Sequence, residues 1–128
     1  MKFAQWSLRI AGIYGILALA PQYFLEQKMG VDFPPPINHP EHFYGFVGVA
    51  LAWQIAFLIM AKDPARYRLL LIPATLEKFS YGLATLALFA QARLAALIMV
   101  TGLIDLVLGS LFLVAFLGLG KTAPAEAD

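Results

Sequence analysis

LAALIMVTGLIDLVLGSLFLVAFLG, residues 94–118, carries a single ionisable side chain, Asp105, in 25 residues. A helix needs about 20 mainly apolar residues to cross a hydrocarbon core of about 30 Å, and this run exceeds that length. It lacks the apolar–polar alternation of a membrane barrel strand. It is also apolar on every face, unlike an amphipathic helix lying on a membrane surface. Residues 4–23, 43–61 and 67–90 meet the same length requirement. The expected fold is therefore all-α: a four-transmembrane-helix antiparallel bundle with short loops and one longer Pro-rich external loop. A single membrane domain is expected over residues 1–120, followed by a disordered cytoplasmic tail over 121–128, KTAPAEAD.

Composition agrees with this reading. The chain has 128 residues, of which 61% are hydrophobic and only 13% charged, whereas a soluble domain is near half apolar and a quarter charged. So few charges cannot cover a water-facing surface. The net charge of +1 gives no electrostatic footprint for nucleic acid. With no cysteine, disulfides, Cys-ligated zinc, iron–sulfur clusters and thiol redox chemistry are excluded.

The first span also resembles a secretory signal, with Met1-Lys2 as a basic end and Ala18-Leu19-Ala20 as a small-residue cleavage site. Pro21 would follow that cut, and Arg9 interrupts the apolar core, so the span is expected to be retained. Orientation follows from Lys and Arg in short loops. Lys62, Arg66 and Arg68 lie in the loop after the second span, and Lys2 and Lys121 lie at the termini. Only Lys28 and Arg93 fall on the other side. Both termini are thus expected in the cytoplasm, across a bacterial inner membrane. Trp6, Tyr23, Tyr44 and Tyr67 lie near span ends, where amphipathic rings favour the headgroup zone.

The long connector, residues 21–40, contains Gly30 and Pro34-Pro35-Pro36. These residues are expected to prevent a regular helix and to favour extended geometry in a short cap over the bundle. Asn38 and Glu41 then suit a capping box at the start of the second span. His39, Glu41 and His42 fall in the same stretch, but a metal site needs further ligands. The two histidines share one helix end, which excludes axial haem ligation across the bundle. No metal and no cofactor is expected. In the third span Pro73 frees a carbonyl one turn back and can bend the helix.

The residues that single out a site are polar ones inside the spans. At 1.5 Å per residue, Gln54, Glu77, Lys78 and Asp105 share a layer near the midplane, with Arg9 closer to the cytoplasmic edge. A central charge costs about 2.5–3.5 kcal/mol and each Leu, Ile, Phe or Val returns about 0.3–0.6. On that scale the third span is marginal alone and depends on its neighbours. Two acids and two bases sum to zero. Asp105 is expected to pair with Lys78 or Arg9, while Glu77 takes the remaining base or stays protonated. Pro73, Glu77 and Tyr81 form one helix face, and Thr101, Asp105 and Gly109 another. Gly48, Ala52 and Ala56, and likewise Ala11 and Gly15 beside Tyr14, form small-residue ridges for close helix contact. Arg9, Tyr14, Gln54, Glu77, Lys78, Tyr81 and Asp105 are the candidates for a ligand pocket or proton path. The same layer also reads as buried ion pairs that only fix helix register.

HFYGFVGVALAWQIAFL, KDPARYRLLLIPATLEKFSYG and GLIDLVLGSLFLVAF together resemble the DoxX-like superfamily of small bacterial membrane proteins, in particular its BphX-type, largely uncharacterised branch. The resemblance spans roughly residues 43–117 and does not include the proline-rich connector. It implies a four-helix inner-membrane bundle and, for some relatives, a place beside quinol oxidation or redox maturation. Thiol-linked roles do not carry over to a chain without cysteine.

Three readings follow. The first is a non-catalytic bundle, an accessory or assembly subunit or a binder of a small apolar ligand. The second is a proton-coupled small transporter or quinone-linked redox accessory using Glu77 or Asp105. The third is a membrane enzyme acting on a lipid or sterol. No nucleophile with its base, phosphate-binding glycine loop or spaced carboxylate pair marks an enzyme. The bilayer is the expected partner, and the small-residue ridges permit a homodimer or a larger membrane complex.

Overall fold

A computed structural model of the chain describes residues 1–122. It is all-helical, with α1 (Lys2–Leu19), α2 (Glu26–Asp32), α3 (Pro40–Met60), α4 (Leu71–Ala90) and α5 (Ala96–Thr122). Short 3₁₀ turns, Ala20–Phe24 and Arg68–Leu70, follow α1 and precede α4. Three helical stretches are long and apolar enough to cross a membrane: Lys2–Phe24, Pro40–Met60 and Ala96–Lys121. α4 has 20 residues, but adjacent Glu77 and Lys78 lower its hydropathy.

The helices pack as two antiparallel pairs. α1 lies along α3, α4 along α5, and α1 joins the pairs by packing on α5. Glycines let the backbones approach. A side chain at Gly12 would strike Leu58 and the carbonyl of Gln54, and one at Gly15 would strike the Gln54 side chain. In the second pair Gly82 faces the carbonyl of Gly102, and Gly102 faces Thr85. The expected Gly48, Ala52 and Ala56 ridge does not make the α3 interface. The buried face of α3 is Val47, Ala50, Gln54, Phe57 and Met60, because the small residues that count are on α1, opposite the larger ones.

The dry core sits toward the end of the bundle where α1 begins. Leu8, Phe57, Met60, Leu71, Phe112 and Leu119 belong to one buried cluster, and Phe57 and Phe112 meet edge to face at 5.0 Å. Arg68 closes this end. Its guanidinium lies over the Phe116 ring at 3.9 Å, and its Nε donates to the Phe116 carbonyl at 2.9 Å.

Four local expectations change. Gly30 lies inside α2 instead of preventing it. A mid-helix glycine costs about 1 kcal/mol relative to alanine, and here it admits Pro36, whose Cα lies 3.0 Å from where a Cβ would stand. Asn38 does not cap α3. His39 is the N-cap and Pro40 opens the helix, since the residue before a proline is held out of the helical region. Pro73 lies in the first turn of α4, where its missing N–H leaves no gap, so the break is a 3₁₀-to-α switch at Leu71 and not a bend within the helix. Lys121 and Thr122 extend α5; the rest of the expected tail, 123–128, lies outside the described residues.

The connector is tied to the start of α3 through Tyr44. Tyr44 Oη donates to Glu26 at 2.9 Å, and the Tyr23 and Tyr44 rings stack at 6.0 Å. Lys28 and Asp32 pair along α2 at 2.9 Å.

Candidate functional site

α3 and α4 make no extended contact with each other. Between them, at the end of the bundle opposite the dry core, lies a cavity of about 1030 Å³. All five helices contribute to its lining. One face of α3, His42, Gly45, Phe46, Val49 and Trp53, forms a long wall. Phe46, Val49 and Leu97 line it and are exposed, so the cavity is a cleft open to the surroundings. Its upper part lies under the connector, where α2 contributes Met29 and the following residue is Phe33.

The floor is polar and rests on the dry core. Lys78 Nζ lies 3.6 Å from Asp105 Oδ1 and 3.7 Å from Glu77 Oε2. These are ion pairs at longer range than a hydrogen bond, and Glu77 Oε2 has no hydrogen-bond partner. The lysine side chain is 3% exposed, against 13% for Asp105 and 23% for Glu77. Its ammonium lies 5.2 Å from the centre of the Phe57 ring. The cation is therefore the most deeply set of the three, against the core, and all three side chains line the cavity. Close approach of α5 makes this possible: Gly109 admits the Lys78 stem, with Lys78 Cβ 3.1 Å from where a Cβ would stand.

Around this floor stand groups that donate or accept single hydrogen bonds. Tyr81 Oη is 2.8 Å from Thr101 Oγ1, and Thr101 donates to the Ile98 carbonyl at 2.6 Å. With the threonine hydrogen spent, Tyr81 is the donor to Thr101. Phe46 stacks on Tyr81 at 6.2 Å across the cleft. Gln54 is buried, and its Nε2 donates to the Ala50 carbonyl at 2.9 Å. Its Oε1 has no hydrogen-bond partner.

Six of the seven sequence candidates, Tyr14, Gln54, Glu77, Lys78, Tyr81 and Asp105, line this one cavity. Arg9 does not. Its guanidinium lies over Trp6 at 5.6 Å, one turn back on its own helix. Of the two bases expected for Asp105, it takes Lys78 and not Arg9, and Glu77 shares the same lysine. Lys78 already lies between both acids, and Arg9, on α1, is drawn to an aromatic face nearer the water.

The wall residues Phe46 and Trp53 were not among the candidates. Their signal is the recurrence of His42, Phe46, Val49 and Trp53 along one face of α3, which reads equally as lipid-facing until α4 is seen to stand away from it. His39, Glu41 and His42 gather at the mouth, with potential ligand atoms within 4.8 Å of one another and all three side chains exposed. His39 Nδ1 lies 3.2 Å from Glu41 Oε1, and the two imidazoles stack at 5.2 Å.

No protein-family model, no curated protein and no solved structure matches this chain.

Proposed function

We propose that this chain is a small integral inner-membrane protein of the DoxX-like type that binds a small, mainly apolar ligand in the cleft between α3 and α4. It acts as an accessory or assembly subunit, alone, as a homodimer or in a larger membrane complex. The observation that carries this reading is the cavity itself, with apolar walls, a polar floor and the size of a small-molecule site, which are typically about 300–1,000 Å³. In this reading α4 is the fourth span. Its length suits a crossing, and burial of Lys78 beside two acids offsets the cost that marks the segment as marginal. Both termini then face the cytoplasm, in keeping with Lys62, Arg66 and Arg68 on that side. The side opening of the cleft faces lipid, so a membrane-dissolved ligand enters without crossing water.

The test fills the cleft. A Cβ at Gly45 would meet nothing within 4 Å, and Gly45 lines the cavity, so Gly45→Phe occupies space without displacing the backbone. Purified protein is expected to retain a co-extracted apolar molecule, detected by mass spectrometry of the intact complex. Gly45→Phe is expected to lose that molecule while folding normally. Identical, empty spectra for both proteins would end the reading.

A second reading is favoured by one observation: Glu77 and Asp105 line the cavity and are more exposed than the lysine they share. Carboxylates so placed suit a proton-coupled small transporter or a quinone-linked redox accessory. Reconstituted protein under a pH gradient would then drive substrate flux that Asp105→Asn abolishes; absence of flux for cationic and lipophilic substrates removes the transporter.

A further inference from the structure

We infer that the ligand of this cleft is an amphiphile with a cationic, ammonium-type head, seated on Glu77 and Asp105. The inference rests on the cleft being a ligand site and adds its chemistry. Neutrality of the polar layer requires two bases, but among the described residues Arg9 forms no ion pair and lies over Trp6. The cavity lining contains three carboxylates, Glu41, Glu77 and Asp105, against the single ammonium of Lys78, with His42 at the mouth. At the floor alone two carboxylates share one lysine, leaving one negative charge in excess when both are ionised.

An unbalanced charge away from water is costly and draws a counter-charge. The arrangement sets where that charge would sit. Lys78 is the least exposed of the three, 3% against 13% for Asp105 and 23% for Glu77, and both acids line the cavity, so the carboxylates are the more accessible part of the cluster. The walls over this floor are aromatic: Tyr14, Phe46, Trp53 and Tyr81. Ring faces attract cations, most strongly alkylated ammonium groups that carry little water. The space is far larger than one ion needs, and much of the remaining lining is apolar, including Leu19, Met29, Val49, Leu97 and Ile98, which suits the body of an amphiphile. A bare metal ion would find two carboxylates and a lysine here, too few oxygen ligands to replace its water. A bound proton would also neutralise the excess, but it would give no preference among ligands.

Decyltrimethylammonium and decanol share a chain and differ in the head, so they separate these possibilities. The chain has two tryptophans. Trp6→Phe leaves Trp53, on the cavity wall, as the reporter and keeps a ring for Arg9. The protein is reconstituted in phosphatidylcholine vesicles, and Trp53 emission is titrated with each probe, corrected for partition into protein-free vesicles. The ammonium is expected to bind at least about tenfold tighter than the alcohol. Glu77→Gln and Asp105→Asn each leave Lys78 with one carboxylate and remove the excess charge. Each is expected to bring the two affinities to within about twofold by weakening the ammonium. Two independent variants guard against one failing to fold. Equal affinities in the parent protein, or a preference that survives both neutralisations, would overturn the inference while leaving the cleft a ligand site. If neither probe shifts Trp53 emission, or Gly45→Phe leaves both titrations unaltered, the cleft reading falls and this inference with it.

Discussion

Among the described residues Lys78 is an ammonium with its surroundings committed to it. It is buried, on a helix, between two acids and against an aromatic ring. Removing one partner from a buried ionic cluster costs about 3–5 kcal/mol, because the charges left behind stay buried. Lys78→Met is therefore expected to lower stability by about that amount in thermal unfolding followed in detergent. Lys78→Met combined with Asp105→Leu should recover part of the loss; no recovery would mean the two side chains are not coupled. A gain is available at Ala92. Its φ of 57° lies in the left-handed region, and Arg93 N–H donates to the Leu88 carbonyl while Ala92 N–H donates to the Phe89 carbonyl. That pattern is a helix end that ordinarily takes glycine at the Ala92 position. A side chain costs roughly 1–2 kcal/mol there, so Ala92→Gly is expected to raise stability by about 1 kcal/mol, less what the freer unfolded chain gives back. A lower melting temperature would contradict this. At this scale the sequence identifies polar residues too deep in a span to be solvated. It does not say which acid meets which base, as the different fate of Arg9 makes plain.

Helices are set in pairs by glycines that face a partner. Gly82 and Gly102 hold α4 against α5, with the Gly102 carbonyl 3.0 Å from where a Gly82 Cβ would stand. Gly82→Val must push against backbone, which does not move aside as a flexible side chain does. Overpacking of this kind costs typically about 1–3 kcal/mol. It should also part α4 from α5 enough to disturb the Lys78–Asp105 pair, so the loss is expected to be smaller when Asp105→Leu is already present. Additive effects of the two substitutions would show the interface and the floor to be independent. Helix lengths were legible from apolar runs, since burying a residue in hydrocarbon is summed residue by residue. Helix ends were less so. Asn38 looked like a cap, and Gly30 looked like a breaker, until Pro40 and Pro36 took over those local decisions.

Across the whole molecule, one end is dry and packed and the other is open, with the polar residues on the boundary. The number of crossings is the property that governs which side each end meets. Lys2 opens α1 and Lys121 lies in the last turn of α5, and the natural absence of cysteine gives a clean background. Lys2→Cys and Lys121→Cys are expected to react with a membrane-impermeant maleimide from the same side, and Gln27→Cys from the other. Labelling of positions 2 and 121 from opposite sides would mean that α4 does not cross.

The chain's apolar runs, their length and the polar residues within them follow from sequence alone. Partition into a membrane and helix formation depend on composition and on neighbours a few residues away. Which faces of those helices turn toward one another depends on contacts between residues 27 to 31 positions apart, such as Lys78 with Asp105 and with Gly109. Only the tertiary arrangement brings Glu77, Lys78 and Asp105 to one floor and leaves Arg9 on its own helix. It also holds α4 away from α3, because close glycine packing commits α4 to α5 and α3 to α1, and the unfilled space between the two pairs is the cleft.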